Sequence, residues 1–116
     1  MNKEIVVSDI LKDLGISASL LGYHYIKEAI LILNGDATKV KGITKRLYPE
    51  IAKLYGTTAT KVERAMRNAV ETGWLKGNVE TQKRLFGYTV KVDRTFPTNS
   101  EFIATVVDWL VMNDEL

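Results

Sequence analysis

Apolar positions along this chain recur mostly at helical spacing. Ile5, Ile10, Leu11 and Leu14 predict a first helix over 4–14 with those side chains inward, ended by Gly15. Ser17 or Ser19 is expected to cap a second helix running to about Leu33, with Leu20, Tyr23, Ile26, Ala29, Ile30 and Leu33 as its core stripe. Asn34-Gly35-Asp36 breaks that pattern, and a basic linker, TKVKG (38–42), leads into a third helix at about 43–55. Pro49 falls inside this third pattern, so either the regular helix starts just before it or the first turn is irregular. A fourth helix, about 58–72, carries Val62, Ala65, Met66 and Ala69 at i, i+3, i+4, i+7, and Gly73 to Gly77 marks its end. A short helix at about 79–85 follows. FGYTVKV (86–92) alternates like a strand but has no evident partner, so an extended loop is expected. The last helix, about 99–112, is expected to be capped by Ser100 or Asn99 and to turn Phe102, Ile103, Val106, Val107 and Leu110 inward. The fold class that follows is all-α, a bundle of about six helices forming one domain over 1–116.

Residues 48–69, YPEIAKLYGTTATKVERAMRNA, have the form of two helices joined by a tight corner. Gly56 can take the positive φ that ends one helix, and Thr57 or Thr58 can cap the next. Ala52 is small enough for a second helix to cross close to it. The spacing therefore predicts a helix-turn-helix at about 43–72. On its second helix Thr60, Arg64, Arg67 and Glu71 point away from the apolar stripe, with Lys61, Glu63 and Asn68 on the flanks. That set suits a DNA major groove. Arginine can make two parallel bonds to guanine O6 and N7, glutamate accepts from the cytosine amino group, and asparagine pairs with adenine. Lys45, Thr57, Thr58 and Thr60 suit phosphate oxygens, helped by the free N–H groups at a helix start.

Composition adds limits. The 116 residues are 46% hydrophobic and 26% charged, ordinary for a globular domain with a real core. There is no cysteine, which excludes disulfides and thiolate metal sites. The single histidine, His24, cannot build a histidine-cluster metal site or a catalytic triad. No phosphate-binding glycine loop occurs, so no cofactor and no enzymatic activity are expected. The chain has no bilayer-length apolar run and no signal-peptide start, which predicts a cytoplasmic, nucleoid-associated protein with no membrane contact. Net charge is only +2, but residues 39–94 hold 13 Lys and Arg against 5 Asp and Glu, and the remainder holds 3 against 9. A positive middle can draw in a polyanion. Most aromatics fall on apolar stripes and are expected in the core. Tyr88, in a loop beside Lys91 and Arg94, is a candidate phosphate contact.

These residues resemble the C-terminal DNA-binding effector domain of the sporulation stage-zero response regulator, the master transcription factor of spore-forming Firmicutes. The matching segments are GYHYIKEAI (22–30), ITKRLYPEIAK (43–53), TATKVERAMRNA (58–69), LFGYTV (85–90) and PTNSEFIA (97–104), in the family's order and spanning nearly the whole chain. The resemblance implies about six helices, a reader helix at 58–72 and binding to boxes like TGTCGAA. It also implies two copies in tandem on adjacent boxes, meeting through the last helix, and RNA polymerase as a further partner. Glu63, Arg64 and Arg67 match the family's pattern. Thr60-Lys61 stands where the family usually has Ser-Arg, and Asn68 where it usually has His, departures expected to relax or alter box preference. The family's regulators carry an N-terminal receiver domain. This sequence shows no receiver-like βα alternation, so it is read either as an excised effector domain or as a stand-alone relative.

The expected function is a sequence-specific, double-stranded DNA-binding transcription-factor domain controlling sporulation genes. Arg64 is expected to read guanine, with Lys61, Glu63, Arg67 and Asn68 supporting it, while the helix before the corner crosses the backbone. The rival expectation is a protein-interaction module whose basic face binds an acidic partner.

Overall fold

The computed structural model describes residues 2–87 and 96–116, which form six α-helices and, among the described residues, no strand. They are α1 (Lys3–Asp13), α2 (Leu21–Leu33), α3 (Tyr48–Tyr55), α4 (Ala59–Trp74), α5 (Val79–Phe86) and α6 (Asn99–Met112). The all-α bundle expected from the apolar spacing is therefore the fold. Phe86 and Gly87, expected to open an extended loop over 86–92, instead close α5 as its last residue and C-cap, while the rest of that loop, with Tyr88, Lys91 and nearby Arg94, lies outside the described residues.

Helix α1 turns Val7, Leu11 and Leu14 fully inward, and Val6 with them. Ile5 was expected inward but is 55% exposed. It lies two residues from Val7, and at about 100° per residue that places it on the opposite side. Helix α2 starts later than expected, with Leu20 at its N-cap and no side-chain cap. Neither Ser17 nor Ser19 caps it. Their hydroxyls bond each other at 2.7 Å, and Ser17 Oγ accepts the Ser19 N–H. The loop is tied to α2 by the His24 ring, whose Nε2 sits 3.0 Å from the Ala18 carbonyl.

The expected basic linker is itself helical. Ala37–Gly42 forms a 3₁₀ segment, capped by Asp36, whose carboxylate accepts the Thr38 N–H. Ile43–Leu47 then forms a π turn in which the Tyr48 N–H returns to the Ile43 carbonyl. Regular α3 begins at Tyr48, with Pro49 in its first turn. Proline has no N–H to return to the carbonyl four residues back, and its ring crowds that carbonyl. A wide turn followed by a fresh helix start accommodates both facts, so both alternatives read from Pro49 hold together.

Helix α4 is the best-anchored element. Val62, Met66, Ala69 and Val70 are completely buried along one side. The helix it crosses most intimately is α2, at Gly22. A Cβ on Gly22 would stand 2.1 Å from the Ala65 carbonyl oxygen and 2.6 Å from the Ala69 Cβ. Only a residue without a side chain permits that approach. At the end of α4, the Trp74 ring meets Phe86 of α5 edge-on, centroids 4.9 Å apart, and Phe86 lies 5.8 Å from Phe102 of α6. An open groove of about 620 Å³ is lined by Val6 and Ile10 of α1, Trp109 and Leu110 of α6, and the charged residues Asp9, Lys12, Asp13 and Glu115.

Candidate nucleic-acid interface

The corner between α3 and α4 is built as its sequence requires. Gly56 takes φ 65°, ψ 39°, and its N–H returns to the Ala52 carbonyl. The Thr57 N–H reaches the same carbonyl at 2.9 Å. Thr58, in extended conformation, then caps α4, its hydroxyl accepting the Lys61 N–H at 3.2 Å. The start of a helix has backbone N–H groups with no partner inside the helix, and Thr58 takes up one of them. Of the two candidate caps, Thr58 does the work, and Thr57 is half-buried in the turn.

The polar side of α4 is open. Thr60, Lys61, Arg64, Arg67, Asn68 and Glu71 are exposed, and Glu63 is half-buried. Arg64 has no hydrogen bond or ion pair with any described residue. Arg67 is held: its guanidinium donates to the Glu63 carboxylate one turn back at 2.7 Å. An exposed i,i+4 pair of this kind is worth about 0.3–0.5 kcal/mol. A good bidentate base contact supplies roughly 1–3 kcal/mol of discrimination. A nucleobase or phosphate can therefore displace the pair, and Arg67 is stored on the surface rather than locked away.

Lys45 stands exposed on the π turn, as do its neighbours Thr44 and Arg46. A cleft of about 260 Å³ joins this turn to the reader side, lined by Thr44, Tyr48, Glu63, Arg67 and the start of α6 from Pro97 to Ser100. The sequence-predicted residues thus fall into three groups. Glu63 and Arg67 are joined, Thr58 and Lys61 are joined through the cap, and Arg64, Asn68, Thr60 and Lys45 stand apart as exposed side chains, while Thr57 is half-buried in the corner outside all three groups.

One residue beside the site was misread from sequence. Asn99 was expected as a cap for α6, with Ser100 as the alternative. The cap is Thr98, in a reciprocal capping box with Glu101: Thr98 Oγ1 accepts the Glu101 N–H, and Glu101 accepts the Thr98 N–H at 2.9 Å. The Thr-x-x-Glu spacing of residues 98–101 is the signal that identifies it. Freed from capping, Asn99 turns inward, 8% exposed, and its Nδ2 donates to the Tyr48 hydroxyl at 3.0 Å and to the Glu63 backbone carbonyl at 3.2 Å. Burial pushes the Tyr48 hydroxyl above its ordinary pKa, against the opposing pull of the Asn99 bond. The hydroxyl therefore stays neutral at physiological pH.

Over residues 7–110 the chain matches the family model described as Sporulation initiation factor Spo0A C terminal. The chain belongs to this family. The match runs from the first turns of α1 to Leu110 of α6, so it takes in every helix of the bundle. The Spo0A C-terminal family consists of DNA-binding effector domains of sporulation transcription factors and is not an enzyme class. Among the described residues no cluster of His, Asp and Glu has metal-site geometry, and no helix is long and apolar enough to cross a membrane.

Proposed function

We propose that this chain reads double-stranded DNA in a sequence-specific way by laying α4 in the major groove of TGTCGAA-like boxes, as one domain over 1–116 controlling sporulation genes. The observation that carries this reading is Arg64. It is exposed, free of any partner among the described residues, and mounted on a helix whose opposite side is fully buried. Its planar fork is thus available to guanine without first breaking an internal contact. Lys61, Glu63, Arg67 and Asn68 support it with base or backbone contacts. Lys45, Thr57, Thr58 and Thr60 take phosphates, Thr58 while continuing to cap the helix. Two copies bind adjacent boxes in tandem and meet through α6, and RNA polymerase is a further partner.

The test is competition between a box-containing duplex and a scrambled duplex of equal composition at fixed salt. Arg64→Ala should lose about 1–3 kcal/mol of discrimination, concentrated at one guanine. Equal weakening on every sequence would assign Arg64 to phosphate instead. A wild-type chain that shows no preference for the box would favour an interaction module whose basic face binds an acidic protein.

A further inference from the structure

The buried stripe of α4 and its close crossing by Gly22 set the helix's rotation coarsely, but hydrophobic contact is itself non-directional and leaves small rolls open. The buried side of α4 is small and aliphatic: Val62, Met66, Ala69 and Val70, crossed closely by Gly22. Reading a base edge demands side chains held within about half an ångström and 10–20°. A directional hydrogen bond can narrow the remaining roll of the reader.

Asn99 is placed to do this. Its Nδ2 donates to the Glu63 carbonyl, in the second turn of α4, and to Tyr48 Oη at the first residue of α3. The carbonyl it grips belongs to the turn that carries the Glu63–Arg67 pair. Three elements, the starts of α3 and α6 and the second turn of α4, thus meet on one amide. We propose that Asn99, with Tyr48 behind it, is a positioning residue that sets the roll of α4 and so determines sequence selectivity without touching DNA. The inference rests on the reading of α4 as the DNA-reading helix.

Its chemistry fits selectivity better than stability. The Asn99 Oδ1 is buried without a hydrogen-bond partner among the described residues. A buried acceptor in that state is unfavourable, and an apolar pair of similar shape in place of both partners is near neutral for folding. Glu63's carbonyl would keep its ordinary acceptor place in the helix ladder. An amide at this position therefore gains little for the fold and something for geometry.

The decisive variant is the double substitution Tyr48→Phe with Asn99→Leu, which removes both hydrogen bonds of the amide and keeps the branched outline of the side chain. Affinity is measured by fluorescence anisotropy for a TGTCGAA duplex and for a scrambled duplex, with thermal melting followed by circular dichroism. The expected result is near wild-type melting, a box affinity lower by about tenfold, the scale of one lost base contact, and a scrambled-duplex affinity within about twofold of wild type, since phosphate contacts tolerate a rolled helix. An unchanged ratio of the two affinities overturns the proposal. Should the double variant melt early, Tyr48→Phe alone keeps the ring and should lower the same ratio by a smaller factor. No change there also overturns it. Arg64→Ala is run alongside. If it leaves the ratio intact, Arg64 contacts phosphate or nothing, the base-reading role of α4 loses its support, and this inference falls with it. If it collapses the ratio while the lock variants do not, only the positioning role is lost.

Discussion

Arg64 and Arg67 lie one helical turn apart and differ in what holds them. Arg64 has no partner among the described residues, and Arg67 is tied to Glu63. The same contrast of free and held groups governs the buried tyrosine. Burial raises the Tyr48 pKa in the folded chain above its ordinary value near 10. Above that value the unfolded state ionises first, so stability is full at neutral pH and falls as pH rises past about 10. Tyr55 is raised as well, again chiefly by burial, and contributes to the same decline. Urea midpoints followed from about pH 8 to 11 should fall less steeply in Tyr48→Phe than in wild type. An identical slope in the variant would mean that Tyr48 ionises alike in both states.

Among the elements, the crossing of α2 and α4 and the corner between α3 and α4 each depend on one glycine, for different reasons. At Gly22 there is no room: an added Cβ would lie 2.1 Å from a backbone oxygen. Gly22→Ala should cost about 3 kcal/mol, the upper end of overpacking, and lower the melting temperature sharply. At Gly56 there is room but a left-handed backbone, φ 65°, so Gly56→Ala should cost only about 1–2 kcal/mol. Melting curves that rank the two the other way round would contradict the crossing described above. The corner was legible in sequence, because Gly-Thr-Thr before an i, i+3, i+4, i+7 stripe states its own turn and cap. The crossing was not. A glycine within a helical pattern gives no sign of which helix will lie across it. The 3₁₀ segment at Ala37–Gly42 was likewise hidden, since short non-α helices have no apolar period of their own, whereas Pro49 signalled the irregular turn after it. Arg64's exposure followed from spacing alone. Asn99's inward turn did not, because it hinges on which of three adjacent polar residues takes the cap.

For the molecule as a whole, charge is arranged along the chain. Residues 39–94 are strongly positive, and the two ends are negative. Asp9, Asp13 and Glu115, with Lys12 among them, line the groove between α1 and α6, while Lys45, Lys61, Arg64 and Arg67 lie on the π turn and α4. Such a distribution orients a polyanion as well as attracting it. DNA affinity should therefore fall steeply with salt, and Lys45→Ala should reduce the slope of log affinity against log salt by about one while leaving the box-to-scrambled ratio unchanged. A slope unaltered by that substitution would remove Lys45 from the phosphate contacts.

The aromatic contact at the far end of α4 has a practical use. Trp74 is the last residue of that helix, half-buried and edge-on to Phe86, and the chain's other tryptophan, Trp109, lines the groove beside α1. With Trp109 replaced by phenylalanine, a single indole remains. Its emission then serves as an intrinsic optical gauge, able to time any shift of the helix as a duplex arrives, with no dye attached.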